Sequence, residues 1–216
     1  MIDFAMARRN MVESQIRTNK VTDEALLAAL GEVPRERFVP DSLRGVAYVD
    51  DDLPLKKGRV LMEPMVFARL LQLAQVTPSD MVLDIGCATG YSTAVLARLA
   101  NTVVALESDP ELAAAATATL AELGCDNAIV VNAPLAEGYA KQAPYDVILF
   151  GGAVPRVPDK IARQLTEGGR LVAVVGDGVG RGTLMTRSRG VVASRPVFDA
   201  GIPVLPDFAA EQGFVF

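Results

Sequence analysis

The chain has 216 residues, 50% of them hydrophobic and 22% charged, with 18 glycines and 13 prolines, which fits one large globular domain and excludes a disordered, collagen-like or coiled-coil chain. It contains no histidine, and that removes Ser-His-Asp and Cys-His pairs, imidazole bases and His-ligated metals together. A formal net charge of -5 is the wrong sign for neutralising phosphates, so no nucleic-acid partner is expected, and two cysteines, Cys87 and Cys125, can form neither a disulfide framework nor a four-thiolate zinc site.

Taken in chain order, the N-terminal stretch MIDFAMARRNMVESQIR interrupts its apolar residues with charges. Neither a signal peptide nor a membrane span is expected, and the reading is a cytoplasmic protein. A helix is predicted over residues 5–18 and a second over 22–30, capped by Thr22. Pro34 and Pro40 then forbid continued helix through VPRERFVP. Residues 48–63 have no sustained period and read as a long loop or lid, ending where Pro64 opens the helix MVFARLLQLAQ.

From residue 79 the pattern changes. Short β-branched runs at 81–85, 102–106, 128–131, 145–150 and 170–175 alternate with helical segments at 90–100, 110–124 and 157–165. Strand and helix in alternation, with short connections, specify a doubly wound α/β parallel sheet. The runs TLMTR, VVASRPVF and FVF after Gly182 predict antiparallel strands added at one edge. The expected organisation is a single domain over 1–216, with 1–78 as helical cover and lid loop and 79–216 as the α/β core.

The strongest local signal is VLDIGCATGYSTAVLA, a strand, a turn from Gly86 to Gly90, and a helix. Such a turn lets a ligand approach backbone N–H groups at the carboxyl edge of the sheet. Asp84 stands at the end of the strand. Glu107 follows Gly86 by 21 residues, the spacing at which a carboxylate reaches ribose hydroxyls. A dinucleotide turn needs glycine at positions 88 and 91, which are Ala88 and Tyr91, and a pyrophosphate would meet the charge of Asp84. S-adenosylmethionine carries an ammonium and a sulfonium instead, for which that acid is a complement. Asp84 is therefore expected at the methionine end and Glu107 at the ribose. Cys87, with no histidine to pair with, reads as a small packing residue within the turn.

These segments, with MVESQIRTNKVTDEALLAALGEVPRERFVP, AYVDDDLPLKKGR, EPMVFARLLQL and APYDVILFGGAVPRVPDKIARQLTEGGRLVAVVG, resemble the protein-L-isoaspartate O-methyltransferases along nearly the whole chain. The resemblance implies a seven-strand, Rossmann-like S-adenosylmethionine-dependent methyltransferase fold. It implies methyl transfer to the carboxylate of isoaspartyl residues in damaged proteins or peptides, with S-adenosylhomocysteine as product. It also implies a cofactor pocket formed by Asp84, Gly86, Cys87, Gly90, Glu107, Ser108, Asn132 and Ala133, and no metal. A carboxylate acceptor is already ionised at neutral pH, so the absence of histidine is no obstacle.

The departures from the family pattern fall at the site. Where the family carries Ser-Gln-Pro, with the serine facing the acceptor, this chain has Met62-Glu63-Pro64, and Met62 cannot donate a hydrogen bond. Glu63 either points inward, where it repels an anionic acceptor, or is a solvated charge in the first turn of a helix. Acceptor-orienting groups are then Arg59 and the backbone at Gly151 and Gly152. Where the family has Gly-Asp-Gly at the adenine, this chain has Asn132-Ala133-Pro134, leaving Asn132 or backbone to make that contact. Lys56, Lys57 and Arg59 either pair with Asp50, Asp51 and Asp52 or attract an anionic acceptor. The competing readings are a methyltransferase for another acceptor and a non-catalytic S-adenosylmethionine-binding or interaction protein. The oligomeric state is not legible.

Overall fold

The computed structural model describes residues 2–176 and 178–209. Seven strands form one sheet among the described residues: β3 (Met81–Ile85), β4 (Thr102–Glu107), β5 (Ala128–Asn132), β6 (Tyr145–Val154), β7 (Leu165–Val175), β8 (Gly180–Ser188) and β9 (Val191–Ala200). Their order is β5-β4-β3-β6-β7-β8-β9. Pairing is parallel from β5 through β7 and antiparallel at β8 and β9. The expected doubly wound sheet with antiparallel edge strands is present; the FVF run lies outside the described residues.

Period-two alternation sorts the apolar residues to two faces. Val82, Val103, Val147 and Val172 pack into one core, and Leu83, Val104, Ile148 and Leu171 into another. The first face carries α3 (Pro64–Ala74), α4 (Tyr91–Leu99) and α5 (Pro110–Glu122). It is also the face that the N-terminal segment covers, through Met11, Ile16, Leu30 and Phe38. The second face is covered more thinly, by α6 (Asp159–Ala162) and by Leu135 and Leu205. The sheet reverses its strand order between β3 and β6, the point at which open α/β sheets bind ligands.

Several local expectations change. The helix expected over 5–18 is α1 (Phe4–Asn10) followed by a wide π-type turn, Met11–Ile16, and a tight 3-10 turn, Arg17–Asn19. Ser14, Thr18 and Asn19 donate from their side chains to carbonyls four residues back, contacts that deform a regular helical ladder. Helix α2 (Glu24–Glu32) is capped by Asp23, not Thr22: Asp23 Oδ1 accepts from the N–H of Ala25 at 3.0 Å and Leu26 at 3.1 Å. The Thr22 N–H is instead taken by the Gln72 side chain. The helix expected over 157–165 shrinks to the four residues of α6, because β7 begins at Leu165, whose residue partner is Tyr145.

The expected lid loop holds a small antiparallel hairpin, β1 (Leu53–Pro54) with β2 (Val60–Leu61). Its turn uses left-handed backbone at Lys57 (φ 54°) and Gly58 (φ 73°), the pattern of two-residue hairpin loops. A fully buried Arg35 pins the segment: Nε donates to Ala47 O and Nη2 to Met62 O, each at 2.7 Å, while the guanidinium lies over the Tyr91 ring.

Candidate functional site

The carboxyl ends of β3, β4 and β6 converge on the turn from Gly86 to Gly90. Gly86 (φ 80°) and Gly90 (φ 95°) take left-handed backbone. A Cβ at Gly151 would strike the Gly86 carbonyl oxygen, so β6 and the turn are in direct backbone contact. One at Gly152 would come within 2.6 Å of the Leu205 side chain. The two glycines of β6 are thus needed for close approach, with Leu205 packed where a side chain at Gly152 would stand. Ala88 also has positive φ, at 49°, a conformation its methyl resists.

Asp84 is fully buried. Its Oδ2 accepts from Ser92 Oγ and Thr93 Oγ1, both at 2.7 Å, whereas Oδ1 has no hydrogen-bond partner among the described residues. Burial pushes its pKa up to about 6, partly offset by those two hydroxyls. A buried acceptor without a donor fits a ligand that brings an ammonium group. Ser92 and Thr93, which the sequence reading passed over, sit in the first turn of α4 and were legible as the hydroxyls directly after the glycine turn.

Glu107, also fully buried, holds the turn from the neighbouring strand: Oε2 accepts from the Ala88 N–H at 2.8 Å and Oε1 from the Asp109 N–H at 3.1 Å. Oε2 is also paired with Arg59 Nη2 at 2.7 Å. Arg59 therefore does not stand on the acceptor side. It enters the expected cofactor pocket and lies against Gly86, where its Nη2 is 2.8 Å from the place of a Cβ. Lys57 pairs with Asp109, and Lys56 with Glu111 at 2.7 Å. None of the three cations pairs with the Asp50–Asp52 run, because the hairpin turn carries them over the N-terminus of α5.

The remaining candidates are placed as follows. Asn132 uses its amide nitrogen to donate to Glu107 O at 2.8 Å and Ser108 O at 3.1 Å, tying two strand ends together. The Ala133 N–H donates to Glu107 O at 3.1 Å. Ser108 Oγ donates to Asp207 Oδ1 at 2.9 Å, and Asp207 Oδ2 accepts from the Leu135 N–H at 3.2 Å. Cys87 is buried in the turn, and burial pushes its thiol well above the usual range, so it packs and does not react. Met62 is buried and lines a small space of about 20 Å³ with Val60, Phe67, Gly86, Tyr91 and Gly151.

Glu63 is the residue preceding α3 and not a solvated charge within its first turn. It is half-buried beside the aspartates. Burial first, then Asp52, Asp50 and Asp51, push its carboxyl up to about 7. Asp52 Oδ1 accepts from the Glu63 N–H at 2.8 Å and so caps the helix from a distance in sequence. Among the described residues no cluster of three or more Cys, Asp and Glu could hold a metal ion, and no helix is long and apolar enough to cross a membrane.

Leu205 and Asp207 gave no signal in the sequence. The segment containing them bridges in parallel to Ala153 through Val204, and Phe208 packs edge-on against Phe150. Chain folding alone brings residues 203–208 onto the carboxyl edge.

Comparison with known proteins agrees with this architecture. The family model for protein-L-isoaspartate(D-aspartate) O-methyltransferase matches residues 6–195. A protein-L-isoaspartate O-methyltransferase of Koribacter versatilis is 43% identical over 173 residues, 80% of this chain and 78% of that one. A protein-L-isoaspartate O-methyltransferase 1 of Syntrophobacter fumaroxidans is 37% identical over 188 residues, 87% of this chain and 88% of that one. Among solved structures, a protein-L-isoaspartate O-methyltransferase superposes with a TM-score of 0.81 at 24% identity, covering 92% of this chain and 65% of that one. A putative protein-L-isoaspartate O-methyltransferase of Plasmodium falciparum, solved in complex with S-adenosyl-L-homocysteine, superposes with a TM-score of 0.80 at 17% identity, covering 96% of this chain and all of that one. The two structures share the fold, and the family match together with relatives near 40% identity shows that this chain belongs to the protein-L-isoaspartate(D-aspartate) O-methyltransferase family.

Proposed function

We propose that the chain is an S-adenosylmethionine-dependent O-methyltransferase acting on the carboxylate of isoaspartyl residues in proteins or peptides. The observation that carries this is the pair of buried acids at the topological switch point, Asp84 with a free Oδ1 and Glu107 at the end of the next strand, in a chain of this family. The donor set fits the cofactor. Asp84 Oδ1 would take the ammonium, Glu107 the ribose hydroxyls, and the turn from Gly86 to Gly90 gives close backbone approach; Ser108 and Asn132 border the nucleoside end. When bound, the cofactor supplies an electrophilic methyl group.

The rest of the task falls to this chain's residues. An isoaspartyl carboxylate has a pKa near 4 and needs no base at neutral pH, so the protein has only to align it and exclude water. Val60, Leu61, Met62, Phe67 and Tyr91 supply that dry wall. Met62 packs but cannot donate, so orientation rests on backbone near Gly151 and Gly152, and removal of a donor from a preorganised site costs about 100-fold or more in rate. A cytoplasmic location fits the two buried free thiols, Cys87 and Cys125.

A second reading is favoured by Glu63, next in sequence to Met62, and the adjacent Asp50–Asp52 run, an acidic cluster whose negative field suits a cationic acceptor. Labelled methyl transfer to an isoaspartyl peptide, with the aspartyl isomer and an amine acceptor in parallel, separates the two. Transfer confined to the isoaspartyl peptide, faster in Met62→Ser, is expected; transfer confined to the amine would replace the first reading with the second.

A further inference from the structure

We infer that Arg59 closes the cofactor cradle as a built-in competing cation, so that S-adenosylmethionine enters only by displacing its guanidinium from Glu107. The inference rests on the cofactor reading above. Four features of the chain carry it.

Position comes first. Arg59 is 4% exposed, with Nη2 on Glu107 Oε2 and against the Gly86 backbone. It lines an outer groove of about 250 Å³ with Lys57, Glu107, Ser108 and Asp207. The inner space beyond Gly86, beside Met62, Tyr91 and Ser92, is about 20 Å³, room for roughly one water. Small-molecule and cofactor pockets need about 300 Å³ or more. Arg59 lines the outer space and reaches Gly86, which lines the inner one, so its guanidinium lies where the two approach each other.

Charge is the second. The two buried acids that suit the ligand's cations are Asp84 and Glu107, and Arg59 supplies the positive charge that Glu107 needs when buried. Its other terminal nitrogen, Nη1, is buried without a partner among the described residues, so the guanidinium is held by one good ion pair and not by a complete hydrogen-bond set. Third, Arg35 holds the base of the hairpin at Met62, but the turn that carries Arg59 lies beyond that anchor. The hairpin ladder is two residues long on each side, and its turn is fastened to α5 by the exposed ion pair of Lys56 with Glu111 and by the exposed Lys57 reaching the buried Asp109. Short ladders and solvent-exposed fastenings open at low free-energy cost. Fourth, Leu205 closes the same opening from the other side, against Gly86 and Gly152.

A competing cation discriminates by ligand charge. S-adenosylmethionine carries one more positive charge than S-adenosylhomocysteine, so loss of the Arg59 charge should favour the first more than the second. Calorimetry on the wild-type chain, Arg59→Gln and Arg59→Ala tests this directly. Both variants should bind S-adenosylmethionine at least 10-fold more tightly than wild type, and S-adenosylhomocysteine with a smaller gain; Arg59→Gln keeps a donor for Glu107 should the alanine variant fail to fold. A second readout uses the unmodified chain: phenylglyoxal, an arginine-selective dicarbonyl, should label Arg59 several-fold faster when S-adenosylhomocysteine is added, as read by mass spectrometry. Equal or weaker binding by a folded Arg59→Gln, or labelling that is unchanged or slowed by the ligand, overturns the inference. If neither compound binds any of the proteins, the cofactor reading fails, and ligand-free Glu107→Gln then decides the closure itself. Faster labelling of Arg59 in that variant keeps the clasp, and unchanged labelling removes it.

Discussion

Ala88 occupies left-handed backbone in the turn, and its N–H is one of the donors that Glu107 accepts. Glycine at this position would keep the hydrogen bond and remove the methyl clash. Ala88→Gly is expected to stabilise the fold by about 0.5–1 kcal/mol, read as a raised urea midpoint with an unchanged slope. An unchanged or lowered midpoint would mean that the greater freedom of glycine in the unfolded chain outweighs the relief. The sequence exposed this position as a departure from a glycine pattern, but only the backbone angle decides that the departure has a cost.

Glu63 shows what a single residue's surroundings add to its identity. Its folded pKa, pushed up to about 7, lies above its ordinary value of 4.5. The protonated form is the one that folding favours, so this group's contribution is fully present below about pH 4.5 and is lost as pH rises through 7. Glu63→Gln should therefore change stability little at pH 4 and raise it at pH 8 by on the order of 1 kcal/mol, after discounting for the solvent contact Glu63 keeps. Thermal melts of both proteins across that range should diverge with rising pH; parallel curves would place the carboxyl in water. The buried Asp84, raised to about 6, contributes with the same sign. Neither environment was legible from sequence. Asp50, Asp51 and Asp52 stand eleven or more residues before Glu63, and only the hairpin returns the chain to them.

At the scale of elements, the central strands were legible because buried parallel strands read as β-branched runs between turn signals. Signals that depend on a tertiary partner were not. Thr22 and Asp23 are both good caps by residue type; Gln72 on α3 accepts from both of their N–H groups and fixes the chain's entry, and in that position it is the Asp23 carboxylate that accepts from Ala25 and Leu26. Asp23→Ala should cost about 1 kcal/mol and Thr22→Ala only a few tenths, by denaturant titration. Comparable losses would return the cap to the position the sequence suggested. The hairpin at 53–61 escaped for a related reason: two residues per strand are too few to show a period, and its place is fixed by Arg35 and by ion pairs to β4 and α5.

Across the whole molecule, the division between a helical cover and an α/β core is a division of sequence more than of packing. Met11, Ile16, Leu26, Leu30 and Phe38 from the cover share one continuous apolar core with Val82, Val103, Val147 and Val172 of the sheet. Polar ties cross the same boundary. Arg170 on β7 donates to the carbonyls of Ala74 and Gln75 at the end of α3, at 2.9 and 3.0 Å. Thr89 in the glycine turn donates to Phe38 O at 2.6 Å. Removing the cover would expose the apolar face of α4 and the sheet face beneath it, so we propose that the chain behaves as a single domain and unfolds as one unit. Calorimetry should then give a single transition whose van't Hoff and calorimetric enthalpies agree, on the order of 150 kcal/mol near 60 °C for a chain of this length. Intrinsic tyrosine signals should report the same midpoint from both parts, since Tyr48 lies in the cover and Tyr91 and Tyr145 in the core. Two resolved transitions, or a van't Hoff enthalpy near half the calorimetric value, would show that the N-terminal segment is a separable unit laid on an independently stable sheet.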